Sequence, residues 1–158
     1  MSPRSWMRAP LNAPLPGAGD GARPFDINDL DALAPLMLRA YRGTVDDEGE
    51  TVEQAAAALR STAEGAYGDF LPGCSRVIER GGALRSAALI TRQKGRPLVA
   101  FTFTDPDFAG QGLARACMAS AMAALFAQGE RELSLVVTLA NTPARRLYAR
   151  LGFVLEAG

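Results

Sequence analysis

Two periods of apolar residues alternate along the chain. Between Asn28 and Tyr41, Leu30, Leu33, Met37, Ala40 and Tyr41 fall on one helical stripe, and Asn28 is placed to cap it. Pro35 lies inside that stretch, where it kinks a helix or delays its start, and Gly43 follows as a stop. Thr51-Val52-Glu53-Gln54 has the spacing of a capping box and leads into the helix-forming run Ala55 to Leu59. The pattern then changes. Ser75–Glu79 and Leu84–Thr91 read as strands, joined by a hairpin turn at Arg80-Gly81-Gly82. A third apolar run, Leu98–Thr104, precedes a long helix-like run from Leu113 to Gln128. Glu132–Thr138 alternates again, with Leu133, Leu135 and Val137 on one face. The final helix has Asn141 as its cap, Pro143 in its first turn and a stripe of Ala144, Leu147, Tyr148 and Leu151. Gly152 ends it. This order of helices and strands predicts an α/β fold on one sheet, with no internal repeat.

Residues 1–24 are expected to form an irregular arm. They are rich in Pro, Gly and Ala, and Ala22-Arg23-Pro24-Phe25 is a poor strand. The arm lacks the continuous apolar run of a signal peptide, and no run in the chain approaches a membrane span. The 158 residues suit one domain, assigned to 25–158. Formal net charge is zero and hydrophobic content is 48%, so nothing points to nucleic acid or membrane as a partner. The absence of His excludes His-based triads and His metal ligands. Cys74 and Cys117 make neither a disulfide framework nor a zinc site, so no metal and a reducing, cytoplasmic setting are expected.

Asp105–Arg115 reads DPDFAGQGLAR and carries the chemistry. A strand, a glycine turn and a helix in succession aim unpaired backbone N–H groups, and the positive end of the helix dipole, at one spot. Such an end binds phosphate. Gly110 and Gly112 allow close approach to the backbone, Ala114 keeps the first turn small, and Arg115 can add a charged contact. The same Gly-x-Gly also reads as a simple turn. It is neither a P-loop nor a good dinucleotide fingerprint.

The two motif segments together resemble the GNAT superfamily of acyl-CoA-dependent N-acetyltransferases. The residues that carry the likeness are Asp105-Pro106, Gly112-x-Ala114, Asn141-x-x-Ala144-x-x-Leu147-Tyr148 and Leu151-Gly152-Phe153, within residues 75–156. The resemblance implies a mixed, mostly antiparallel central sheet flanked by helices in a single domain. It implies acetyl-CoA as co-substrate and direct attack by an amine on the thioester. Carried over residue by residue, it places Thr102, Phe103, Thr104, Gly110, Gln111, Gly112, Leu113, Ala114, Arg115 and Asn141 on the cofactor. It makes Tyr148 the general acid for the leaving thiolate. A phenol with a pKa near 10 is protonated at neutral pH and can donate. Tyr148 also reads as a member of the buried stripe, and Asn141 as a plain helix cap.

Two positions depart from the family pattern. Ala109 stands where a Gln or Arg contacts the pyrophosphate, and Val136 stands where many relatives carry a Glu base. A base is therefore sought in the acidic segment Tyr41–Glu50, where Tyr41, Asp46, Asp47 and Glu50 are the candidates for touching a cationic amine, small or peptide. That segment also reads as a solvated loop whose acids favour the start of the second helix. The family's last strand is expected to be short, so that a partner subunit, as in a homodimer, would complete the sheet edge. A catalytically impaired acyl-CoA-binding regulatory domain and a structural partner that has lost the cofactor stay open beside the enzyme.

Overall fold

The computed structural model describes residues 3–156. The strands are β1 (Arg4–Pro10), β2 (Arg23–Pro24), β3 (Asp69–Phe70), β4 (Arg76–Arg80), β5 (Ala83–Gln93), β6 (Arg96–Thr104), β7 (Glu132–Thr138) and β8 (Val154–Leu155). The helices are α1 (Leu30–Tyr41), α2 (Val52–Ala63), α3 (Leu113–Ala127) and α4 (Thr142–Arg150). They build a single sheet in the order β2-β4-β5-β6-β7-β1-β8, with β3 pairing on β5. All pairings are antiparallel except β6 with β7. The mixed, mostly antiparallel sheet flanked by helices is the fold expected from the motifs.

The helix boundaries follow local chemistry. Thr51 accepts from the Gln54 N–H at 3.2 Å while the Gln54 side chain accepts from the Thr51 N–H at 2.8 Å, a complete capping box. The side-chain cap ahead of the first helix lies two residues earlier than expected. Asp26, not Asn28, accepts the first N–H and opens a short 3-10 turn that runs into α1. Pro35 stays inside α1 on its exposed side, where solvent can take the carbonyl orphaned by the missing N–H. Asn141 accepts from the Ala144 N–H at 3.2 Å to start α4. At the other end the Phe153 N–H reaches the Tyr148 carbonyl at 3.0 Å over Gly152, whose φ of 96° only glycine adopts readily.

The N-terminal segment differs from expectation. Residues 4–10, assigned to an irregular arm, form a seven-residue strand in register with β7 from Arg4↔Thr138 to Pro10↔Glu132. Met7, Ala9 and Leu11 are buried while Trp6, Arg8 and Pro10 are not. That period of two is the signature of a half-buried strand. Proline ends β1, where a missing donor costs least. The chain's own β1 lies beside β7, and the last strand, β8, is as short as expected: its two residues add to β1 at Met7↔Leu155 and Arg8↔Val154. The β2 edge is two residues long.

Two apolar cores lie on opposite faces of the sheet. Leu33, Leu36 and Met37 of α1 and Ala55 and Leu59 of α2 pack on Val77, Leu89 and Phe103. Cys117, Met118 and Leu125 of α3 pack with Ile78, Ile90, Leu133, Leu135, Val137, Tyr148 and Phe153. Burial of some dozens of such side chains, at about 1.5–3 kcal/mol each, is the main force closing the two layers. It also fixes which β7 and β1 residues face which layer. Val136 and Thr138 point toward α1 and α2, as do their register partners Trp6 and Arg4.

Candidate active site

The site is set by a split in the sheet. In β6, Phe101 pairs with Leu89 and Val99 with Ile90, so Ala100 is an extra residue, a β-bulge. A bulge bends its strand and raises the local twist. The parallel β6–β7 ladder accordingly holds only one pair, Leu98↔Ser134, and the strands part beyond it. A cleft of about 940 Å³ opens between them, lined by Val99–Thr104 of β6, Leu135–Thr138 of β7, the ends of α1 and α4, and the acidic loop. The Thr102 hydroxyl is buried there without a hydrogen-bond partner. An unsatisfied buried hydroxyl at an unpaired strand suits a bound polar chain better than an empty wall.

Just beyond β6, the chain makes a 3-10 turn at Pro106–Phe108 and enters α3 through Gly112. Gly112 sits at φ 78°, and no side chain caps the helix. A Cβ on Gly110 or Gly112 would meet nothing within 4 Å, so the backbone there is open to approach. Asp105 anchors this loop. It is fully buried, accepts from the Asp107 N–H at 3.0 Å and from Arg85 at 3.0 Å, and is ion-paired with Arg39 of α1. Burial alone would raise its pKa. The Asp107 N–H and the two guanidinium groups outweigh burial and hold the carboxyl below the usual range. Arg85 also covers the Phe108 ring at 4.4 Å.

The expected cofactor residues divide by position. Thr102, Phe103, Thr104, Ala114 and Asn141 line the cleft. The Phe103 ring is turned into the α1/α2 core, leaving its backbone to the cleft, and Thr104 Oγ1 shares a hydrogen bond with Ser86 at 2.8 Å. Leu113 is a core residue. Gly112 and Arg115 line a separate depression of about 380 Å³ with Leu15–Asp20, and Gly110 and Gln111 are exposed on the loop. Arg115 is thus outside the main cleft.

The acidic loop divides as well. Asp46 reaches across the split: Oδ1 accepts from Thr138 Oγ1 at 2.7 Å and Oδ2 accepts from Asn141 Nδ2 at 2.9 Å. Tyr41 and Glu50 also line the cleft. Asp47 does not. It accepts from the Gly43 and Gly49 N–H groups at 3.0 and 2.9 Å and pairs with Arg42, so it staples its own loop, and these N–H bonds lower its pKa. Glu48 lines the cleft but is paired with Arg4 at 3.3 Å.

Tyr148 comes from the α3/α4 layer and ends in the same cleft. Burial, and secondarily the charge of Asp46, push its phenol up to about 12. Tyr41 approaches from the α1/α2 layer, and burial followed by Tyr148, Asp46 and Glu50 raises it further. The phenols are therefore proton donors at every ordinary pH. Sequence reading missed Arg4 and Trp6, because they belong to the unrecognised β1, and it missed Tyr67. All three line the cleft. The alternation of Met7, Ala9 and Leu11 was the available signal. Among the described residues no cluster able to hold a metal occurs, and no helix is long and apolar enough to cross a membrane.

Comparison with known proteins agrees with the fold. The model of the Acetyltransferase (GNAT) family matches residues 32–153. No curated protein matches the chain significantly. Among solved structures, a GCN5-related N-acetyltransferase from Sphaerobacter thermophilus superposes with a TM-score of 0.74 at 22% identity, over 97% of this chain and 48% of its own. The ribosomal-protein-S18-alanine N-acetyltransferase from Escherichia coli gives 0.64 at 22% identity, over 83% and 75%. The PaiA N-acetyltransferase from Thermoplasma acidophilum, solved with coenzyme A, gives 0.67 at 15% identity, over 87% and 91%. The present chain spans about half the length of the Sphaerobacter protein.

Proposed function

The chain belongs to the acetyltransferase (GNAT) family, and from that premise we propose that it transfers an acetyl group from acetyl-CoA to a primary amine. The observation that carries this reading is the split between β6 and β7, lined by both a carboxylate, Asp46, and a protonated phenol, Tyr148. Acetyl-CoA supplies an electrophilic thioester and a thiolate leaving group. The unpaired edge of β6 with Thr102 would hold its extended arm, and the open N–H groups at the start of α3 would take its phosphates.

The proton movements follow from the two groups. An amine arrives as an ammonium ion and must lose a proton before its lone pair attacks. Asp46 has four lone-pair directions, and Thr138 and Asn141 use two. The remainder accept the ammonium hydrogen, and the proton leaves through the open mouth of the cleft. The N–C bond forms as the C–S bond breaks, Tyr148 Oη gives its proton to the sulfur, and the second proton shed by the nitrogen as it becomes an amide restores the phenol. Its raised pKa keeps that proton available. Val136 at the usual base position supports a second reading, an acyl-CoA-binding domain without turnover. Release of CoA that depends on added amine tests the enzyme reading. Binding of acetyl-CoA without turnover on a broad amine panel would favour the second.

A further inference from the structure

The acceptor side of the cleft has a chemical character of its own. Trp6 and Val136 are register partners on β1 and β7, and both face α1 and α2. Tyr67 stands edge-on to Phe101 with ring centroids 6.4 Å apart. Trp6, Tyr67 and Val136 are 38%, 48% and 49% exposed, and all three border the same cleft. Together with Phe101 they give this side of the cleft apolar walls, and the Arg96 guanidinium lies over the Trp6 ring at 5.3 Å. Of the loop carboxylates, Glu48 is paired with Arg4, and Asp47, outside the cleft, with Arg42. Among the described residues, Asp46 and Glu50 form no ion pair. The floor holds an independent signal. Thr91 is fully buried and lines the cleft, and its hydroxyl has no hydrogen-bond partner. An orphan hydroxyl under apolar walls calls for a polar atom from a ligand.

We infer that the acceptor is a primary amine on an aromatic or similarly flat apolar body, carrying a hydrogen-bonding group at the end remote from the amine. The ammonium sits by Asp46 and Glu50, the body between Trp6, Val136, Tyr67 and Phe101, and the far polar group at Thr91. This rests on the acetyl-transfer reading above. A polyamine would leave the apolar walls without a partner, and an aminoglycoside would press hydroxyls against them.

Trp6 is the only tryptophan in the chain, so its fluorescence reports directly on this pocket. The full chain, saturated with CoA, would be titrated with tyramine, phenethylamine, spermidine, neamine and a short peptide. Amine-dependent CoA release would be measured in parallel with acetyl-CoA. The expected result is a saturable Trp6 signal with the arylalkylamines, and a kcat/KM for tyramine about tenfold or more above that for spermidine, neamine or the peptide. Tyr67→Ala, at an exposed loop position, should lower kcat/KM for tyramine about tenfold while changing that for ethylamine less than about threefold. Thr91→Val should bring tyramine and phenethylamine within about twofold of each other. A polycation, sugar or peptide as the best acceptor overturns the inference and leaves acetyl transfer standing. So does an unchanged tyramine preference in Tyr67→Ala. Absence of turnover with every amine, together with no thermal shift by acetyl-CoA, overturns the inference and the acetyl-transfer reading together.

Discussion

Replacing Asp46 by Asn separates the two things this carboxylate can do. Asn has the same shape and keeps two hydrogen bonds, because its amide oxygen can accept from Asn141 and the Thr138 hydroxyl can turn to accept from its NH₂. What disappears is the charge. A hydrogen bond to a charged group contributes about 1.5–3 kcal/mol and a neutral one about 0.5–1.5 kcal/mol, so the two bonds together weaken by about 2 kcal/mol. If Asp46 only staples the acidic loop over the cleft, the largest loss in kcat/KM is about 30-fold, and it is the same at every pH. If Asp46 takes the ammonium proton, the loss at neutral pH is about 10²–10⁴-fold. The pH dependence then differs too, because the variant uses only amine already deprotonated in solution. The ratio of wild type to variant rises by about tenfold for each pH unit that the assay lies below the amine's own pKa. CoA release with saturating acetyl-CoA, measured across that pH range, gives the ratio. Acetyl-CoA affinity should stay within about threefold, since Asp46 belongs to the acceptor side. A pH-independent ratio below about 30 would refute the base role and leave Asp46 as a staple.

Further outcomes follow from the same geometry. Tyr148→Phe should lower kcat about 10²-fold or more with acetyl-CoA affinity nearly unchanged, and equal turnover would remove the phenol from the reaction. Tyr148 titrates near 10 when unfolded and at about 12 when folded, so its contribution to stability is complete below pH 10 and lost as pH rises toward 12. Denaturant unfolding should therefore show stability falling through that window, with a shallower fall in Tyr148→Phe. Asp105→Ala leaves Arg85 and Arg39 without their buried partner. Because Arg39 is half exposed and can rehydrate, the cost should lie near the low end for a broken buried pair, about 3 kcal/mol, read as a lowered urea midpoint. The depressed carboxyl of Asp105 stabilises the fold at neutral pH, and that contribution is lost as pH falls through its folded pKa. Acid unfolding of wild type should be steeper than that of the variant. Gly112→Ala meets no atom within 4 Å but strains a φ of 78°, so equilibrium dialysis should show weaker acetyl-CoA binding with a modest loss of stability.

What the sequence disclosed, and what it hid, follows the reach of each interaction. Local devices were legible: the Thr51 capping box, the Asn141 cap, the Gly81-Gly82 hairpin and the Gly152 stop all appear where their chemistry puts them. The alternation of Leu133, Leu135 and Val137 placed β7 correctly. The start of α1 differs because Asp26 accepts the N–H of Asn28 and, with Asp29, closes a capping box on a short 3-10 turn ahead of the helix. β1 was hidden by its setting. Seven residues ending in Pro, followed by Pro- and Gly-rich chain, carry little strand propensity, and the strand exists because β7 offers it a paired edge. Arg4 and Trp6 were lost with it. The buried Asp105 with Arg39 and Arg85 joins residues distant in sequence, which no spacing reveals. Four neighbouring acids looked alike in sequence, yet only the fold separates Asp46, which crosses the split, from Asp47, which staples its loop.

The most direct test of the account is product stoichiometry in a single reaction. The chain, acetyl-CoA and a primary amine such as tyramine would be incubated together, with free CoA and N-acetylated amine quantified by mass spectrometry. Acetyl transfer across the β6–β7 split predicts that the two products accumulate in equal amounts, and that Tyr148→Phe slows both together. Free CoA without acetylated amine, from tyramine or any other amine offered, would contradict it.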